Sequence, residues 1–209
     1  MIGRLLLWGL AALVYAVFFV WYTPLGGPLT TAEIDHFTSL LTQEGRDPER
    51  VAALRRFMED DDGGQFIMVN LLHMQADPPT LSATGPGADA DALLGHYMEH
   101  MYPALAQRAC HPVFAGTAVY GAMDLVGIEG AETWSQAALM RYRSRRDLLE
   151  IATNPAFGGR HEYKLAALEK TIAFPVEPGF YLSDPRLLLA LLLLVVAGAI
   201  DALLYRRRG

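Results

Sequence analysis

The chain has 209 residues, is 52% hydrophobic and carries a net charge of −6 at neutral pH. Two apolar stretches, about Leu5–Tyr22 and Leu187–Leu204, bracket a polar middle that holds 12 basic against 22 acidic side chains, a net −10. So acidic a middle repels phosphate backbones and excludes nucleic acid as an expected partner, and a single cysteine excludes an intrachain disulfide.

The first stretch has no charge after Arg4 and ends in Trp21 and Tyr22, side chains suited to a membrane interface. It is longer than the apolar part of a signal peptide, and Thr-Pro follows where small residues would mark cleavage. Residues 1–22 therefore read as a retained transmembrane helix, close to the roughly 20 residues that cross a core of about 30 Å. Residues 23–63 read as a linker and helical extension. Thr23–Thr31 is Pro/Gly-rich, and Thr30 or Thr31 can cap a helix with Glu33 in its first turn. Ile34, Phe37, Leu40 and Leu41 give that helix an apolar stripe. Pro48 opens a second helix with the stripe Val51, Leu54, Phe57 and Met58. Glu59–Asp62 and the glycines after them close it, and the four carboxylates read as a solvated turn rather than a calcium loop, since the alternating ligand spacing is missing.

Gln65–Met74 is the clearest strand. Phe66, Met68, Asn70, Leu72 and Met74 share one face of it, and Ile67, Val69, Leu71 and His73 the other. A loop over Asp77–Asp91 is long enough to act as a lid. A helix is expected over Leu93–Ala109, strands over Val113–Ala122 and Gln136–Arg143, and a helix capped by Ser144 to about Ala152. Asn154-Pro155 breaks the chain, a further helix runs to about Glu169, and Thr171–Val176 is a short last strand. The order after Gly64 is β-α-β-β-α-β, which predicts an α+β domain with a ferredoxin-like antiparallel sheet over residues 64–178. Its helices cover one sheet face, so a partner subunit is the expected cover for the other, two sheets together making a barrel. Residues 179–186 form a second linker, 187–205 a second transmembrane helix and 206–209 a basic tail.

Basic residues at the outer ends of both spans predict a two-pass inner-membrane or plasma-membrane protein with cytoplasmic termini and an extracytoplasmic central domain. Asp201 is the one charge inside the second span, and pairing with Arg206 or snorkelling to the interface accounts for it. Cys110 stands beside His111, but neighbours on a strand point to opposite faces, which favours a buried structural cysteine over a Cys/His nucleophile.

The segments FIMVNLL, YMEHMYPAL, HPVFAG, ALMRYRSRRDLLEI, NPAF and KLAALEKT resemble a bacterial family of unknown function in the dimeric α/β-barrel superfamily. That superfamily includes cofactor-free monooxygenases, muconolactone-isomerase-like proteins and haem-handling enzymes. The resemblance covers about Gly64–Thr171; a homodimer is expected, and no cofactor is expected. The family's Arg-Tyr-Pro-Ser is Arg141-Tyr142-Arg143-Ser144 here, and its His-Arg is Tyr163-Lys164. Asn70 and Trp134 resemble two pocket residues of the haem-degrading relatives, but no histidine stands near Ser144 to complete their set.

Three readings follow. The first is a membrane-anchored, dimerising domain that binds a small apolar or carboxylate-bearing molecule, or a partner. The second is a monooxygenase- or isomerase-like enzyme with a pocket of Met68, Asn70, Tyr97, Trp134 and Arg141. There Asn70 polarises a carbonyl in the barrel interior, and Arg141 stabilises an enolate. Asn70 is otherwise a structural amide, and the arginines Arg141, Arg143, Arg145 and Arg146 otherwise form ion pairs. The third is a zinc hydrolase through His96, Glu99 and His100, whose His-x-x-Glu-His order places two imidazoles one turn apart.

Overall fold

A computed structural model describes residues 2–157 and 159–205 of the chain. It divides into two compact units, residues 1–25 with 178–209, and residues 26–177.

The first unit is a pair of long helices, α1 (Ile2–Tyr22) and α7 (Pro185–Tyr205), each long and apolar enough to cross a membrane. They pack antiparallel. Arg4 near the start of α1 meets Asp201 near the end of α7 at 2.5 Å, and the Arg186 guanidinium at the start of α7 lies 5.5 Å from the Tyr22 ring at the end of α1. Asp201 thus pairs with Arg4. The Arg206 expected for it lies outside the described residues, as do Arg207 and Arg208.

The second unit begins with α2 (Thr31–Gln43) and α3 (Pro48–Glu59). Thr30 forms a reciprocal capping box with Glu33, and Asp47 caps α3 ahead of Pro48. Leu29, Ile34, Phe37 and Met58 form one core cluster with Leu149. Asp61 is no solvated turn residue. Its side chain is 2% exposed, accepts the Leu29 and Gly63 N–H groups and meets Arg145 at 3.5 Å. Burying one carboxylate of the four makes the end of α3 a clasp on the linker.

The rest of the unit runs β1 (Phe66–Met74), α4 (Ala90–Gln107), β2 (His111–Thr117), β3 (Gln136–Tyr142), α5 (Arg145–Ala152), a 3-10 turn (Pro155–Phe157), α6 (His161–Ala166) and β4 (Leu168–Val176). The strands form one antiparallel sheet in the order β2-β3-β1-β4. Helix α4 starts three residues before the expected Leu93, because Asp89 accepts the Ala92 N–H and caps it. Strand β2 stops at Thr117 rather than Ala122, and β3 at Tyr142 rather than Arg143. Beyond Thr117 the chain leaves the ladder as a long loop in which Val119, Tyr120, Met123 and Val126 are exposed. Helix α6 ends at Ala166, not near Glu169, since β4 already pairs with Met74 at Leu168. Pro112 and Pro175 are tolerated because β2 and β4 are the sheet's edges, and β2 also bulges between Pro112 and Phe114.

One sheet face carries the helices. Phe66 and Tyr142 are buried with Met101, Ala104 and Leu105 of α4 and Ile151 of α5, with Met68 and Met140 against them. Alternation then assigns Asn70, Leu72 and Met74 to this covered face. Met74 does pack with Leu93, Tyr163 and Ala167. The opposite face is closed at one end, where Ile67 and Arg141 are buried, and open beyond it. Phe114, Ile172 and Phe174 are exposed there, on the two edge strands β2 and β4.

Candidate functional site

The five side chains of the expected pocket do not share one cavity wall. Met68 and Asn70 lie on the helix-covered face. Asn70 sits opposite Ala138 and Ile67 opposite Arg141, so Arg141 belongs to the other face. The one-residue parity of the strand separates them. Asn70 therefore does not look into a barrel interior. Its Nδ2 donates to Met68 O and Ala138 O at 3.1 and 3.2 Å, stitching β1 to β3. Arg141 is fully buried, and its guanidinium donates to Gln65 Oε1 at 2.8 Å and Ala109 O at 2.6 Å. Trp134 donates to Ala131 O, with the Lys170 ammonium 5.1 Å from its ring centre. The other arginines are engaged as well: Arg143 with Asp147 at 2.7 Å, and Arg146 with Glu33 at 2.6 Å. Arg145 donates to Phe57 O and covers the Phe57 ring.

The His-x-x-Glu-His pattern does lie on α4, with Glu99 exposed and both histidine rings packed against aromatic neighbours. The His96 ring packs edge-on to Tyr163 at 4.5 Å, and its Nδ1 stands 3.4 Å from Glu99. The His100 ring packs against Phe157 at 6.4 Å. Among the described residues, no group of three or more His, Cys, Asp or Glu side chains is arranged to hold a metal ion. Cys110 is buried. Its thiol is pushed up to about 11, chiefly by burial, and its sulfur accepts the Arg143 N–H.

Of the expected pocket, Tyr97 has the most suggestive surroundings. It packs against two core clusters where α4 meets α6. His161 stands edge-on to it at 6.2 Å, and the Lys164 ammonium lies 5.9 Å from its ring centre. Burial alone pushes the Tyr97 hydroxyl up to about 12 and lowers the Lys164 ammonium. His161 is lowered by burial first, then by the charges of Lys164 and Arg46. On these two elements two atoms are buried without a hydrogen-bond partner, Nδ1 of His100 on α4 and NH1 of Arg160 at the N-cap of α6. Sequence reasoning missed Arg160, His161 and Lys164. Their signal was the i, i+1, i+4 spacing, which sets all three along one short helix.

The described fold is shared with a protein of unknown function from Rhodopseudomonas palustris, at a TM-score of 0.51 and 18% identity over 65% of this chain and 96% of that one. A dimeric protein of unknown function with a ferredoxin-like fold from Bacteroides fragilis aligns at 0.34 and 15% over 55% and 96%. A hydroxynitrile lyase from Passiflora edulis aligns at 0.39 and 15% over 56% and 98%. No protein-family model matches the chain, and no curated protein matches its sequence. At these identities the first likeness defines the class of fold, an α+β sheet domain, and no activity.

Proposed function

We propose that this chain is a two-pass membrane protein whose central ferredoxin-like domain pairs with a second copy through its open sheet face, forming a bilayer-anchored binding module. The carrying observation is that β1 is apolar on both faces. Phe66 and Met68 meet the helices and Leu72 is buried on the same face, while Val69 and Leu71 point the other way, beside Leu139, Ile172 and Phe174 of the neighbouring strands. A sheet with one face in water alternates apolar with polar residues. This one does not, and a layer that is apolar on both sides needs a second cover. A second copy offers that cover by two-fold symmetry, with the same patch on both sides and no charge at its centre.

Membrane anchoring draws support from α1 and α7. Only 6% of either apolar window is buried inside the protein, which a soluble core helix would not show. Their antiparallel pairing through Arg4–Asp201 keeps the start of α1 and the end of α7 on one side, in keeping with cytoplasmic termini and an extracytoplasmic domain. Fractionating cells that express the full chain, then applying protease from the outside, tests this reading. The 26–177 region is expected in the membrane fraction and cleaved only when the outer face is exposed. Recovery in the soluble fraction contradicts it.

The enzymatic reading finds less support, since Asn70 and Arg141 lie on opposite faces and both are engaged with protein partners.

A further inference from the structure

Among the described residues, the basic groups Arg160, His161 and Lys164, where α6 packs on α4, form no ion pair. Burial lowers the Lys164 ammonium, and His161, although exposed at its surface, is lowered by burial and then by the charges of Lys164 and Arg46. The acids nearby in sequence are turned elsewhere: Glu99 is taken by His96, and Glu162 is exposed. A desolvated cation is costly unless an anion or acceptor stands against it. The unpartnered NH1 of Arg160 and Nδ1 of His100 point the same way, because buried polar atoms in native proteins ordinarily have partners.

The walls are aromatic. Tyr97 and Phe157 flank the basic groups, Phe157 against His100 and Tyr97 against His161 and Lys164. An organic anion has apolar surface to set against those rings, which a compact, strongly hydrated anion lacks.

We propose that the α4–α6 interface is a binding site for a small organic carboxylate with a flat apolar body. Lys164 and Arg160 take the carboxylate, His100 and His161 complete the polar end, and the rings of Tyr97 and Phe157 hold the body. Charge-assisted contacts of this kind are the strong ones, and Arg in particular takes carboxylates by two parallel bonds. The site lies on the helix side of the sheet, so it does not depend on pairing through the open face.

The test is calorimetric titration of the full chain in detergent micelles with benzoate, with benzamide as its uncharged counterpart and with inorganic phosphate. Benzoate is expected to saturate at one per protomer and to bind at least about tenfold more tightly than benzamide or phosphate, a difference of about 1.4 kcal/mol. Lys164→Met is expected to weaken benzoate by about tenfold or more without lowering the unfolding temperature, since an uncompensated buried charge is being removed. A second reading uses the chain's two lysines, Lys164 and Lys170. Benzoate should slow acetylation of Lys164 by acetic anhydride and leave Lys170 unaffected. Equal binding of benzoate and benzamide, tighter binding of phosphate, unchanged affinity in Lys164→Met, or no protection of Lys164 would each overturn the proposal.

Discussion

Asn70 and Arg141 stand on neighbouring, hydrogen-bonded strands and point to opposite faces of the sheet. Each is committed to the protein itself, Asn70 to two strand carbonyls and Arg141 to Gln65 and the Ala109 carbonyl. Their loss should therefore be felt in stability. Asn70→Ala is expected to cost about 1 kcal/mol, the net worth of an ordinary hydrogen bond. Arg141→Ala should cost about 3 kcal/mol or more, since it strips partners from buried groups and leaves a void. Urea unfolding of the full chain in detergent measures both. A neutral Arg141→Ala would show that the buried guanidinium is not structural.

Glu33 ties the helical extension to α5. The Arg146 guanidinium, aided by the Thr30 N–H and hydroxyl, holds its carboxyl down at about 2, below the ordinary 4.5. A carboxyl depressed on folding contributes stability that is fully present above its unfolded value and is lost as the pH falls through its folded one. The contribution should thus fade between about pH 4.5 and pH 2. Glu33→Gln is predicted to flatten the pH dependence of unfolding in that window and to leave it unchanged above it. An identical acid profile in the variant would refute the link.

Gly63 holds a backbone with φ +77° where it passes the linker. A Cβ there would stand 2.6 Å from the Gly27 carbonyl carbon and 2.7 Å from the Pro28 nitrogen. Backbone cannot yield as a flexible side chain does, and the left-handed conformation adds its own strain. Gly63→Ala is expected to destabilise by about 2 kcal/mol or more, whereas Gly45→Ala, with open space around it, should cost only the φ strain. Thermal unfolding of the pair, side by side, checks the difference.

Cys110 should be chemically quiet. Its burial and raised thiol predict reaction with an aromatic disulfide at pH 7.5 slower by about a hundredfold or more than a free cysteine. Reaction at the rate of a model thiol would show that the segment around Ala109 opens readily.

The elements were legible wherever a local signal was strong. The Thr30–Glu33 box, Pro48, Ser144 and the run of β-formers from Phe66 each reported their element within a residue or two. The strand ends were not legible, because Val119 and Tyr120 look like strand residues and only the missing partners across the ladder stop β2 at Thr117. Alternation separated the two faces of β1 correctly but could not say which one the helices cover. That depends on how α4 and α5 dock, and it moved Asn70 from the expected barrel interior to the helix side. The register of β3 against β1 is likewise non-local, so the parity that parts Arg141 from Asn70 was hidden. Arg160, His161 and Lys164 gain meaning only when α6 folds back on α4.

The central claim is that the open sheet face pairs two copies of this chain, and the direct test is the protein mass of the full chain in detergent, measured by light scattering corrected for the micelle. Wild type is predicted to have twice the 23.0 kDa of one chain. Leu139→Asp, placing a charge at the centre of the apolar face, is predicted to have one chain's mass with its circular dichroism retained. A monomeric wild type, or a Leu139→Asp variant that stays folded and dimeric, would contradict the account.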